Sequence, residues 1–274
     1  MSDPSSLPIL ANKDYQSISV FTPENLLREA RRQKSILEGS VPKICILDPD
    51  GDIVQNLFEA GLAQLNPYWA CYHTRMYNFT YEGIEFGIVG NAVGASFAVL
   101  VAEEMFACGC ELLISMTSAG QIITKGRPPY FVLIEKALRD EGTSYHYLPP
   151  SAFSTINAKL MECLTSAFEK SAYPVFPGAT WTTDAPFRET ETAIAYGRSE
   201  GILGVEMEAS ALYAFAEAKG RPVICFAHIT NQMGNVENDF EKGEAQGSLD
   251  AIEVISQAAK AWLSGAVSKN EKSK

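Results

Sequence analysis

A change of hydrophobic period recurs along this chain, and it limits the folds open to it. Apolar runs of strand length are followed by segments whose apolar residues repeat at helical spacing. The stretch from Gly201 to Tyr213 shows the change most clearly. Residues 202–205 are long enough only for a brief buried strand. From Glu206 onward Met207, Ala211, Leu212, Phe215 and Ala216 repeat at helical spacing, and Gly220 after Lys219 marks a helix stop. Strands are also expected at 44–47, 84–90, 112–116, 130–138, 178–182 and 221–230. Helices are expected at 53–62, from 95 to about 108, at 155–171 and at 248–263. This alternation predicts an α/β fold: a three-layer α/β/α single domain around a mostly parallel or mixed central sheet.

The expected domain covers residues 40–264. Residues 1–40 read as an N-terminal arm and a helix, with Thr22 as N-cap and Pro23 as first helical residue. Residues 265–274 read as a charged, flexible tail. With 274 residues, 46% of them hydrophobic, the chain has material for one large core. The net charge of -11 argues against nucleic acid or an anionic membrane as partner. No run reaches spanning length, and residues 1–8 lack the basic and apolar regions of a signal peptide, so a cytoplasmic protein is expected. The six cysteines show no metal-ligand spacing; Cys108-Gly-Cys110 is too tight for a Cys-x-x-Cys pair. Reduced, buried thiols and no metal are expected.

Glu206 and Glu208 sit where strand turns into helix. One reading is electrostatic, since acidic groups are favoured in a helix first turn. The other is chemical. A carboxylate can accept from two adjacent sugar hydroxyls while Met207 offers a soft apolar face. Ligands of open α/β sheets bind outside the carboxyl ends of strands. Gly90-Asn-Ala-Val-Gly94 and Thr117-Ser-Ala-Gly120 are expected as turns that let backbone approach such a ligand. His228, in an apolar strand, reads as a core histidine; His146, between two tyrosines, is a candidate for the cleft wall.

The run Val205-Glu-Met-Glu-Ala-Ser-Ala-Leu-Tyr213 resembles the ribose-binding stretch of the nucleoside phosphorylase family. That family includes uridine phosphorylase, the hexameric purine nucleoside phosphorylases and the methylthioadenosine nucleosidases. Residues 139–147 and 182–187 resemble segments around the base in the uridine phosphorylase branch. The resemblance implies that Glu206, Met207 and Glu208 bind the sugar. It implies a phosphate or nucleophile site at Arg75, Ser118, Gly51 and Asn91, with Arg75 completing the cleft of a neighbouring subunit. It implies a base site at Thr183, Phe187, Arg188 and Gln232. Asn231 stands where the purine enzymes carry a proton-donating aspartate. An amide has no transferable proton but can hydrogen-bond a base whose charge lies on carbonyl oxygens, which leans toward pyrimidines.

Two departures matter. Where the family's phosphorylases carry Pro-Gly-Asp-Pro-x-Arg, this chain has Asp48-Pro-Asp-Gly-Asp-Ile53, and Ser115 stands where a second phosphate arginine is usual. Three aspartates near an anion site repel a dianion; the same residues also suit an ordinary turn. The resemblance therefore implies phosphorolysis of a nucleoside first, with Glu208 and Asn231 as catalytic residues. Hydrolysis by water activated near Asp48 to Asp52, and a catalytically silent nucleoside-binding protein, are the other two readings. Phosphate would be a co-substrate and no cofactor is implied. A homodimer, or a homohexamer built as a trimer of dimers, is the implied assembly.

Overall fold

Ten strands and seven α-helices follow one another in the computed structural model, which describes residues 7–169, 171–233, 237 and 239–271, with side chains through 265. The order is α1 (Pro23–Lys34), β1 (Ile44–Asp48), α2 (Asp52–Glu59), β2 (Gln64–Leu65), β3 (Met76–Tyr81), β4 (Ile84–Gly90), α3 (Ala95–Ala107) and β5 (Leu112–Gln121). Then come β6 (Tyr130–Asp140), β7 (Phe153–Thr155), α4 (Ala158–Phe168), β8 (Val175–Thr183), α5 (Glu191–Ser199), β9 (Ile202–Glu206), α6 (Ala209–Lys219), β10 (Val223–Asn231) and α7 (Ser248–Glu271). The expected α/β class with a mixed sheet is what forms.

β5 is the centre of the sheet. Its first half pairs in parallel with β1, which continues through β4 to β3 and the edge strand β2. Its other edge pairs in parallel with β10. From there β10 leads to β6, β8 and β9, and β9 returns antiparallel to the end of β5 at Gly120 and Gln121. Five strands thus close a ring, which alternation alone did not predict. Gly204 permits the closure: a Cβ there would lie 2.7 Å from Ile229 Cδ1 and 3.0 Å from the Gly120 carbonyl oxygen. A large apolar core is shared by the sheet and the packed helices, and a smaller cluster of Ile122, Ala179, Trp181, Ile202 and Val205 lies by the closure.

Several boundaries differ from expectation. Thr117 to Gly120 is not a turn but the second half of β5, because β10 and β9 supply ladder partners there. Glu206 ends β9, and α6 starts at Ala209. The stretch expected as helix from 155 begins instead with β7; Asn157 caps α4 by accepting from the N–H groups of Lys159 and Leu160. α5, capped by Thr190, was not expected. α7 continues to Glu271, beyond the expected end at 263 and into the stretch read as a tail; residues 1–6 and 272–274 lie outside the described residues. The arm is tied down at two points. Lys13 Nζ meets His146 Nδ1 at 2.9 Å, and the Tyr15 hydroxyl donates to the Tyr145 carbonyl at 3.3 Å. His146 therefore holds the arm, and its expected place in a cleft wall is corrected.

Candidate active site

The β9–α6 junction gives its two carboxylates different work. Glu206 Oε2 accepts from the backbone N–H of Glu208 and of Ala209, both at 2.7 Å. Its Oε1 accepts from Thr180 Oγ1 at 3.1 Å and Thr182 Oγ1 at 2.5 Å. Four donors satisfy this buried carboxylate, two of them orphan N–H groups of a helix start. The expected sugar-binding role of Glu206 is thus corrected: it caps α6 and fixes its neighbour. Glu208 Oε1 accepts from the N–H of Gly94, the N-cap of α3, at 2.7 Å. Its Oε2 accepts a long 3.3 Å bond from the Met207 N–H, and the Thr117 hydroxyl also hydrogen-bonds this carboxylate. The carboxylate keeps acceptor capacity, beside the half-buried Met207.

Burial pushes the Glu208 carboxyl up to about 8, with the Glu206 charge adding to the rise and Gly94 and Thr117 opposing it. Burial likewise raises Asp48 to about 7, the Val54 N–H opposing and Asp50 adding. Both groups hold protons in the folded chain that an unfolded carboxylate, with a pKa of about 4, has lost. Their contribution to stability is complete below that value and lost as pH rises through 7 and 8. The unfolding temperature should therefore fall between pH 5 and 9, and Glu208→Gln, which cannot titrate, should fall less. Parallel curves for the two proteins in thermal melts would refute this origin.

The turn after β1 is locked from inside. Asp48 Oδ1 accepts from Gly51 N–H at 3.2 Å, and Oδ2 from Val54 N–H at 2.9 Å at the start of α2. Gly51 is required, because its φ is +83° and a Cβ would lie 2.5 Å from Asn91 Oδ1. Asn91 in turn donates its N–H to the Asp48 carbonyl at 3.0 Å. Gly51 and Asn91 thus lie side by side, and the Gly51 N–H is engaged by Asp48.

Ser118 lies beside this turn, and its donors are engaged as well. Its N–H donates to Asp50 Oδ2 at 3.2 Å, and its hydroxyl donates to the same oxygen. Lys242, which follows β10, pairs with Asp50 at 3.4 Å and also with Asp52. Burial alone would lower its pKa, but Asp52 and Asp50 outweigh burial and hold the ammonium above its usual range. Ser115 is buried, and its hydroxyl has no hydrogen-bond partner among the described residues. A cavity of about 20 Å³ opens between Asp48, Asp50, Asp52, Ser118, His228 and Lys242. That is enough room for a water.

The remaining expected residues divide. Asn231 pairs with Gly120, which pairs with Val205, so it sits near the sugar-site junction. Its Oδ1 accepts from Met233 N–H at 2.9 Å and its Nδ2 donates to Thr230 Oγ1 at 3.2 Å. Thr183 is buried one residue beyond Thr182, the ladder partner of Glu206. Phe187 is 99% exposed and Arg188 exposed, so neither packs on the chain; the Gln232 N–H is held by Asp239. Arg75 is exposed just before β3, whose Met76 pairs with Val89 at the carboxyl end of β4. Of the aromatics around it, Trp69 is in the chain's own core and Tyr77 packs on Phe58. Among the described residues no group of three or more His, Cys, Asp or Glu side chains is arranged to hold a metal ion, and no helix is long and apolar enough to cross a membrane.

Sequence reasoning missed Lys242, in a segment with no motif; His228 is buried, as its strand suggested, and also lines the cavity. Only the return of residues 239–247 across the β1 turn reveals either.

The fold and site define a class. Residues 43–261 match the model of the phosphorylase superfamily. The chain belongs to that superfamily. It is 23% identical to a guanosine phosphorylase of Halorubrum lacusprofundi over 67% of this chain and 76% of that protein. It is 24% identical to a uridine phosphorylase of Thermococcus kodakarensis over 66% and 70%. These relatives are nucleoside phosphorylases, enzymes of the pentosyltransferase type. Among solved structures, uridine phosphorylase of Vibrio fischeri superposes with a TM-score of 0.67 at 22% identity, covering 81% of this chain and 92% of that one. AMP nucleosidase of Bacteroides thetaiotaomicron superposes with a TM-score of 0.65 at 19% identity, covering 92% and 100%. The fold thus carries both phosphorylases and nucleosidases.

Proposed function

We propose that this chain releases the base of a nucleoside by cleaving its N-glycosidic bond, with water as the attacking group. Glu208 accepts hydrogen bonds from the sugar hydroxyls, Met207 packs on the sugar, and Asn231 hydrogen-bonds a base of pyrimidine type. The observation that carries the choice of water is Asp50: its carboxylate already holds both donors of Ser118, where an anion would bind. An incoming dianion meets that charge. A carboxylate so placed can instead take a proton from water as its oxygen bonds to C1′, while the C1′–N pair leaves with the base.

Phosphorolysis is the second reading. The names of the relatives favour it, and so does Lys242, the lysine or arginine that lines the cavity. Purified protein with uridine, cytidine, adenosine or guanosine, with and without phosphate, separates the readings. Base release without phosphate, giving free pentose, is expected. Strict phosphate dependence with pentose 1-phosphate as product selects phosphorolysis. Nucleoside binding in calorimetry with no turnover selects a silent binding protein, and a preference for purines overturns the role given to Asn231.

The active unit proposed is a homodimer or a larger homo-oligomer in which Arg75 enters the neighbour's cleft. Among the described residues no hydrogen bond or ion pair engages the Arg75 side chain, and it leaves the sheet at the end where Asn91 lies. Activity should fall on dilution through the dissociation range. Mixing Arg75→Ala with Glu208→Ala chains should restore some activity, since one mixed site carries both intact residues. Full activity in a species that sediments as a monomer would refute the arrangement.

A further inference from the structure

His228 has no place in the reaction described so far, yet it stands in the wall of the cavity that takes the water. It lies mid-strand in β10, 6% exposed. Its ring stacks on Phe131, with centroids 4.5 Å apart and planes at 18°. Its other side abuts Gly247, where a Cβ would come within 2.3 Å of His228 Cε1. The ring is therefore held in one orientation by an aromatic face and a residue without a side chain. Among the described residues no hydrogen bond engages either ring nitrogen. Its cavity is shared with Asp50, Ser118 and Lys242. Burial, with Lys242 adding, presses its pKa down to about 4, so the ring is neutral near pH 7 and one nitrogen is an acceptor.

We propose that His228 is the second acceptor for the attacking water, which donates one O–H to Asp50 and the other to the imidazole. This rests on the hydrolytic reading. Water has two protons and two lone pairs. Fixing both protons on fixed acceptors turns a lone pair outward, toward C1′ of a sugar held by Glu208. Asp50 takes the proton as the O–C1′ bond forms; the C1′–N pair leaves on the base, which is protonated from solvent. His228 accepts a hydrogen bond throughout and keeps its own proton. Ser118 and Lys242 hold Asp50 in place for this pair.

The test compares His228→Phe, which keeps a stacking ring but no acceptor, with His228→Gln, which keeps an acceptor. Base release is measured in phosphate-free buffer. For H228F, kcat should fall about tenfold to a hundredfold with KM within about twofold, and H228Q should recover part of the loss. Combining each with Asp50→Asn should add little further loss, because both residues act on one water. Should H228F fail to fold, His228→Leu takes its place. Unchanged kcat in the folded acceptor-free variant, a loss confined to KM, or strictly additive losses with Asp50→Asn would overturn the assignment. Phosphate-dependent release by the unaltered protein overturns the hydrolytic reading itself, and is seen separately in the same assay.

Discussion

Glu208→Ala should lower kcat/KM for base release, assayed near pH 9 where the carboxylate has lost the proton that burial holds on it up to about pH 8, by about two to four orders of magnitude, from two hydrogen bonds to a charged acceptor at about 1.5–3 kcal/mol each. The expectation follows from the unequal state of the two junction carboxylates. Glu206 has four donors, whereas Glu208 is held by Gly94 at 2.7 Å and otherwise only by the Thr117 hydroxyl and a long bond from the Met207 N–H, so it keeps acceptor capacity. Glu208→Gln should lie between, since an amide oxygen still accepts from Gly94 but its NH2 opposes a hydroxyl donor. Glu206→Ala should act differently, lowering the melting temperature by uncapping α6 and leaving the O–H donors of buried Thr180 and Thr182 without their acceptor. Near-normal turnover by a folded Glu208→Ala chain would remove the sugar assignment, and with it the substrate class.

The sign of the Asp50→Asn effect decides the nucleophile. If Asp50 is the base that takes the proton from water, its loss should slow phosphate-independent release by about two to three orders of magnitude, the usual range for a positioned general base. The amide is nearly isosteric and can still accept from the Ser118 N–H and hydroxyl, so the turn should keep its shape. If phosphate is the true attacking group, the same substitution removes a repelling charge beside Ser118 and leaves Lys242 with one carboxylate fewer. Phosphate-driven release would then hold or rise. An unchanged water-driven rate in Asp50→Asn would dismiss Asp50 as the base.

Much of the fold was legible because strand and helix periods are written locally. β1, β4, β9 and β10 fall close to the expected runs, and the Gly220 stop of α6 is a left-handed cap as its residue type suggests. The elements missed were those whose pattern is weak alone. α5, Glu-Thr-Ala-Ile-Ala-Tyr-Gly-Arg-Ser, has a single buried residue, and β3 alternates too irregularly to announce a strand. The second half of β5 looked like a turn because Thr, Ser, Ala and Gly favour turns in isolation. Two further strands supply its hydrogen bonds, and that overrides the local preference.

The sequence by itself determined the class of fold, the strand-to-helix junction and the presence of Glu208 and Met207 at it, since each depends on residues adjacent in the chain. It also determined the row of aspartates, Asp48, Asp50 and Asp52, after the first strand. Only the tertiary structure decided what those residues do. Glu206 and Glu208 are two positions apart, yet one caps α6 and the other meets an N–H contributed by Gly94, 114 residues away. Asp50 meets Ser118 across 68 residues and Lys242 across 192. Such partners carry no local signal, because the forces that join them act through space and the chain between them is spent building the sheet that brings them together.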